Sequence, residues 1–221
     1  MITLIDLLIV FVIGLLFVLY FTDQRLFIYN RSIVLSKDTN NFITLHFLHG
    51  HFPKGKWRDF YKHIDNKKGG SVSMQIDDSV YAFEVKEGKY MHLEGADHRE
   101  HFNALFSVKN ILIWELETKD SCVTSVKIPV TEQQKQILRD TYKSYLAKTP
   151  YDYAFFGMGS ASAVYEVLAK AGIVLTQDSL NRYVLNAFNP RIFRKRVILW
   201  AEFNGFDVFR KEGSADVYWE K

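Results

Sequence analysis

Residues 124–148 read TSVKIPVTEQQKQILRDTYKSYLAK, and the change of pattern inside this stretch decides the fold class. Thr124 to Val130 has the composition of a strand. Thr131 followed three positions later by Gln134 forms a capping-box pattern, with Pro129 just upstream. Ile137, Leu138, Tyr142, Tyr145 and Leu146 then recur at helical spacing through Lys148, and Pro150 stops the helix.

Upstream of this boundary the chain reads mostly as strands. They are expected at residues 42–48, 71–76, 80–85 and 111–117, with Asp77-Asp78-Ser79 and Lys119-Asp120-Ser121 as turns. His49 to Trp57 reads as a Gly/Pro-punctuated loop, residues 58–63 as a short helix, and Asn66 to Gly70 as a turn. Downstream lie helices at 160–171 with Gly172 as a C-cap, at 179–187, and at 191–203 with Gly205 beyond. Strands first and helices second predicts an α+β fold rather than a doubly wound sheet.

Farther out, residues 2–21 read ITLIDLLIVFVIGLLFVLYF, with Asp6 as the one charge. About 20 helical residues at ~1.5 Å of rise each cover the hydrocarbon core of a bilayer. A transmembrane anchor is expected at 1–22, a juxtamembrane segment at 23–41 and a single globular domain at 42–221. A cleaved signal peptide fits less well, because the n-region lacks Lys and Arg and no small-residue cleavage site follows. The lipid bilayer is therefore the first expected partner. Arg25, Arg31 and Lys37 follow the span, so the positive-inside rule slightly favours a cytoplasmic domain.

The composition, 48% hydrophobic and 15% aromatic, excludes a disordered chain. One cysteine excludes an internal disulfide framework, and a net charge of +3 is too mild to imply nucleic acid.

Two stretches carry candidate chemistry. Gly69-Gly70-Ser71-Val72-Ser73-Met74-Gln75-Ile76 opens a strand from a Gly-Gly turn. Tyr151-Asp152-Tyr153-Ala154-Phe155-Phe156-Gly157-Met158-Gly159-Ser160 opens a helix from a Gly-containing turn. A nucleophile at a helix N-terminus gains from the unpaired N–H groups and the positive dipole end, and a base on a neighbouring strand completes a dyad.

This pairing resembles the circularly permuted papain-like proteins, the NlpC/P60-related group that includes the lecithin:retinol acyltransferase-like enzymes. The resemblance covers roughly residues 43–172. It implies an antiparallel sheet with packed helices, a His on the early strand and a Cys at the start of the later helix. Ser71 stands where the resemblance expects the His, and Ser160 where it expects the Cys. Gly70, Tyr153, Gly159 and His49 are the accompanying binding candidates. A serine hydroxyl is a weak nucleophile without a base, and Ser71 is no base at neutral pH. The expectation is a catalytically degenerate domain that binds or scaffolds, with no cofactor. One alternative is an active hydrolase or acyltransferase using Ser160 with His46, His49, His51 or His63. The other is an unrelated membrane-tethered interaction domain.

Cys122, in an expected turn without an activating cation, reads as a structural thiol. His49 with His51, and His92 with His98 and His101, lack the further ligands that a zinc site needs, so no metal is assigned. Arg191, Arg194, Lys195 and Arg196, with Arg210 and Lys211, read as a solvated helix face or as a contact for anionic lipid headgroups.

Overall fold

The computed structural model describes residues 10–15, 41–53, 70–87, 89, 92–94, 103–156, 158–174 and 189–220. Most of the expected span, the juxtamembrane segment up to residue 40, the expected helices at 58–63 and 179–187, and His63, His98 and His101 lie outside these residues. Residues 10–15 are helical. Among the described residues no helix is long and apolar enough to cross a membrane.

The described chain is α+β, built on a six-stranded antiparallel sheet. Its strands are β1 (Phe42–Leu48), β3 (Ser71–Ile76), β4 (Ser79–Val85), β6 (Ala104–Asn110), β7 (Val123–Pro129) and β9 (Val208–Lys211), in the spatial order β6-β4-β3-β1-β7-β9. Two small pairs flank it. β2 (His51–Pro53) pairs with β10 (Val217–Trp219), and β5 (His92–Glu94) runs parallel to β8 (Ala154–Phe156). The β3–β4 hairpin closes over Asp77-Asp78, with Asp77 at φ +54, a conformation Asp tolerates better than bulkier residues.

Three helices share one core with one sheet face. They are α2 (Glu132–Ala147), α3 (Ser160–Lys170) and α4 (Pro190–Asn204). Ile43, Leu45 and Phe47 of β1 and Val72, Met74 and Ile76 of β3 point into that core, as strand alternation requires. The capping box of α2 forms as the sequence predicts. Thr131 Oγ1 accepts from the Gln134 amide at 3.1 Å, and Gln134 Oε1 accepts from the Thr131 amide at 2.9 Å. Lys135 and Arg139 of α2 then pair with Asp77 at 2.6 and 2.7 Å, fastening the helix to the hairpin tip.

Residues 111–117 depart from the expectation. They form a helix, α1 (Ile111–Glu117), and the strand lies just before them in β6, which the sequence did not signal. A short apolar run does not distinguish strand from helix by periodicity. Here Asn110 decides, because its side chain accepts from the Leu112 amide at 3.0 Å and starts a helix where the sheet edge ends. α1 lies on the sheet face opposite the other helices, where Trp114 stacks on His46 with ring centroids 4.4 Å apart.

Candidate functional site

Ser160 is the first residue of α3, after Gly159 as N-cap, and is 1% exposed. The small residues Ala161, Ser162 and Ala163 let this end of the helix settle against β3. Ser160 Oγ accepts from the Val72 amide at 3.2 Å, and the Ser160 amide donates to Tyr153 Oη at 3.4 Å. Ser160 thus stands at a helix N-terminus beside the strand that begins at Ser71.

Tyr153 is buried and stacks on Phe83, with centroids 5.2 Å apart. Asn103 holds its backbone from both sides. The Asn103 side-chain amide donates to Tyr153 O at 2.8 Å, and Asn103 Oδ1 accepts from the Tyr153 amide at 2.7 Å. The Asn103 backbone N–H also donates to Asp152 Oδ1 at 2.8 Å. Burial raises the phenol pKa, and bonding to the Ser160 hydroxyl and amide only partly offsets that rise. A neutral phenol in this position cannot take a proton from Ser160.

Gly70 is required by geometry. Its φ is +82, and a Cβ there would lie 2.8 Å from Leu48 O. At Gly159 a Cβ would lie 3.7 Å from Tyr153 Oη, an ordinary contact. Ser71 begins β3 opposite Leu48. By alternation Ser71 and Ser73 turn toward the sheet face away from α3, and Val72 turns toward it. Ser160 therefore meets β3 through the Val72 backbone.

The histidines are engaged elsewhere. His46, one of the candidate bases for Ser160, is buried. Gln75 Oε1 accepts from its Nε2 at 3.0 Å, and its Nδ1 accepts from Ser125 Oγ at 2.8 Å. Gln75 donates its amide N–H to Asp77 O, which fixes this tautomer. Desolvation lowers the His46 pKa from 6.5 to about 4, outweighing the Gln75 bond. His49, at the start of the expected loop, is also buried. Its Nδ1 donates to Glu220 O at 2.7 Å and its Nε2 accepts from Thr124 Oγ1 at 2.8 Å. Burial lowers its pKa too, against the Glu220 carbonyl and with the help of Arg194 and Arg210. His51 packs on Trp219 at 5.2 Å. Among the described residues no imidazole is hydrogen-bonded to Ser160.

A cleft of about 640 Å³ opens on the α1 side of the sheet. The cross-strand register sets Ser107, Ala82, Ser73, His46 and Ser125 in one row, and the first three, all small, line the cleft. Trp114 and Trp219 wall it, with Glu84, Lys86 and Lys109 near its rim. Tyr153 and Ser71 line it as well, which connects it to the Ser160 corner. Ser73 Oγ is buried with no hydrogen-bond partner. No sequence motif announces this row, because it exists only once six strands are in register.

The basic group of α4 is not one solvent-facing patch. Arg194 and Arg196 are buried, and Arg191 and Arg194 approach the carboxylate of Glu220 at 3.2 and 3.7 Å. Arg210 pairs with Glu212 at 2.8 Å, and Lys211 donates to Thr118 O. Lys195 remains exposed. Cys122 is fully buried, and burial pushes its thiol up. Among the described residues no group of His, Cys, Asp and Glu is placed to hold a metal. No family model, curated protein or solved structure matches the chain.

Proposed function

We propose that the chain is a single-pass membrane protein, anchored by residues 2–21. Its domain has a permuted papain-like fold that lacks the Cys–His dyad and binds a ligand instead of transforming one. The observation that carries this reading is the environment of Ser160. The residue sits at the start of α3 against β3, where the resemblance expects a nucleophile, but its oxygen accepts from the Val72 amide. Its other neighbour is a neutral phenol, and both ring nitrogens of His46 and His49 are bonded to other groups. Among the described residues no base reaches this hydroxyl, and a hydroxyl without a base is held as a structural bond rather than activated.

The ligand belongs in the cleft beside this corner. Aromatic walls and a lining of small hydroxyl side chains suit a partly apolar molecule with a few hydrogen-bonding groups. The test is labelling of the full chain by a serine-reactive fluorophosphonate, comparing the parent with Ser160→Ala. The two are expected to give equal background signal. Labelling that disappears with Ser160→Ala would overturn the non-catalytic reading in favour of an active hydrolase or acyltransferase.

A further inference from the structure

Helix α1 has two apolar faces, and among the described residues only one is covered. At ~100° per residue, Ile111, Trp114 and Thr118 fall on one side of the helix. That side rests on the sheet, through the Trp114–His46 stack and the buried Thr118. Leu112, Ile113 and Leu116 fall on the opposite side and are 72%, 54% and 69% exposed. Glu115 and Glu117 border this outer face, and Lys109 pairs with Glu117 at 2.6 Å.

We infer that this outer face of α1 seats the domain on the surface of the bilayer that anchors it, inserting Leu112, Ile113 and Leu116 among neutral lipids at the interface. The inference rests on the reading that residues 2–21 span that bilayer. Residues 22–41 separate the span from β1 and can extend no farther than about 70 Å, so the face stays near the membrane at high effective concentration. Three side chains offer at most a few hundred Å² of apolar area, well short of the roughly 800 Å² per partner in a stable protein interface. A tethered domain needs no such area, because each insertion is intramolecular. The acidic border argues for apolar insertion rather than attraction to anionic headgroups.

The experiment uses the full chain in phosphatidylcholine vesicles, with an environment-sensitive NBD label on Leu116→Cys and, as a control, on Lys143→Cys on the exposed side of α2. Cys122 is buried and does not compete for the label. The expected result is blue-shifted emission at 116, quenched by nitroxide-labelled lipid and unchanged when phosphatidylglycerol is mixed in, with water-like emission at 143. Leu112→Ser combined with Ile113→Ser should abolish the shift at 116. Water-like emission at 116, with the chain still resistant to carbonate extraction, overturns the inference alone. Loss of the chain on carbonate washing overturns the anchored reading beneath it. A shift that follows protein concentration and ignores nitroxide lipid assigns the face to a second copy and also overturns the inference.

Discussion

His46 makes the domain sensitive to mild acid, and the size of the effect follows from its surroundings. The neutral imidazole is buried beneath Trp114 between Gln75 and Ser125, with its pKa lowered from 6.5 to about 4. A base whose folded pKa is depressed takes up its proton more readily in the unfolded chain. Its contribution is therefore intact above pH 6.5 and is lost as the pH falls toward 4. At 1.36 kcal/mol per pH unit of difference, the loss is about 2 kcal/mol by pH 5 and about 3 kcal/mol by pH 4. That is a large share of the roughly 5–15 kcal/mol of a typical domain. The assay is urea unfolding of the full chain in detergent at a series of pH values, compared with His46→Gln. Gln does not titrate, so the variant should be less stable at pH 7 but lose less between pH 7 and pH 4, by about 3 kcal/mol. His49, whose pKa burial also lowers, is present in both proteins and cancels in the difference. Parallel loss in parent and variant, or an NMR titration of His46 near its ordinary value, would refute the reasoning.

Three further outcomes follow from the described geometry. Gly70→Ala should cost on the order of 1–3 kcal/mol in urea unfolding, because it strains the backbone and drives a Cβ toward Leu48 O. Thr131→Ala should cost about 1 kcal/mol, since it removes one of the two reciprocal bonds that start α2. Asn103→Ala removes the two side-chain bonds that hold the backbone of Tyr153, while the backbone bond from residue 103 to Asp152 remains. A loss of about 2–4 kcal/mol, with faster amide exchange at Ser160, is expected, and unchanged exchange there would show that Tyr153 is held by its ring stacking alone.

The sequence reveals local order well and tertiary placement poorly. β1 and β3 fall where strand composition puts them, and α2 begins at the capping box, because those signals are contained in a few neighbouring residues. β6 and α1 were not separable from sequence. ALFSVKN lacks a clean alternation, and ILIWELE suits either state until Asn110 caps it. The burial of His46 and His49 was hidden for another reason. Their partners Ser125, Thr124 and Glu220 are distant in sequence, so nothing near either histidine signals a buried, bonded ring. The basic run of α4 misleads similarly, since the Glu220 carboxylate that draws in Arg191 and Arg194 comes from the other side of β9 and β10.

Alternation along β3 bears most directly on the proposed function. A dyad built on Ser71 and Ser160 needs both side chains on one side of the strand. β3 instead sends Val72, Met74 and Ile76 into the core shared with α3, while Ser71 and Ser73 line the cleft. The two serines therefore serve different faces. Ser160 ties the helix to the strand through a backbone amide, and Ser71 and Ser73 line the cleft. A His at 71 would begin on the cleft side, so restoring the residue types expected from the resemblance would not by itself restore a base to Ser160. Tyr153 is the side chain common to both regions, touching Ser160 on one side and lining the cleft on the other.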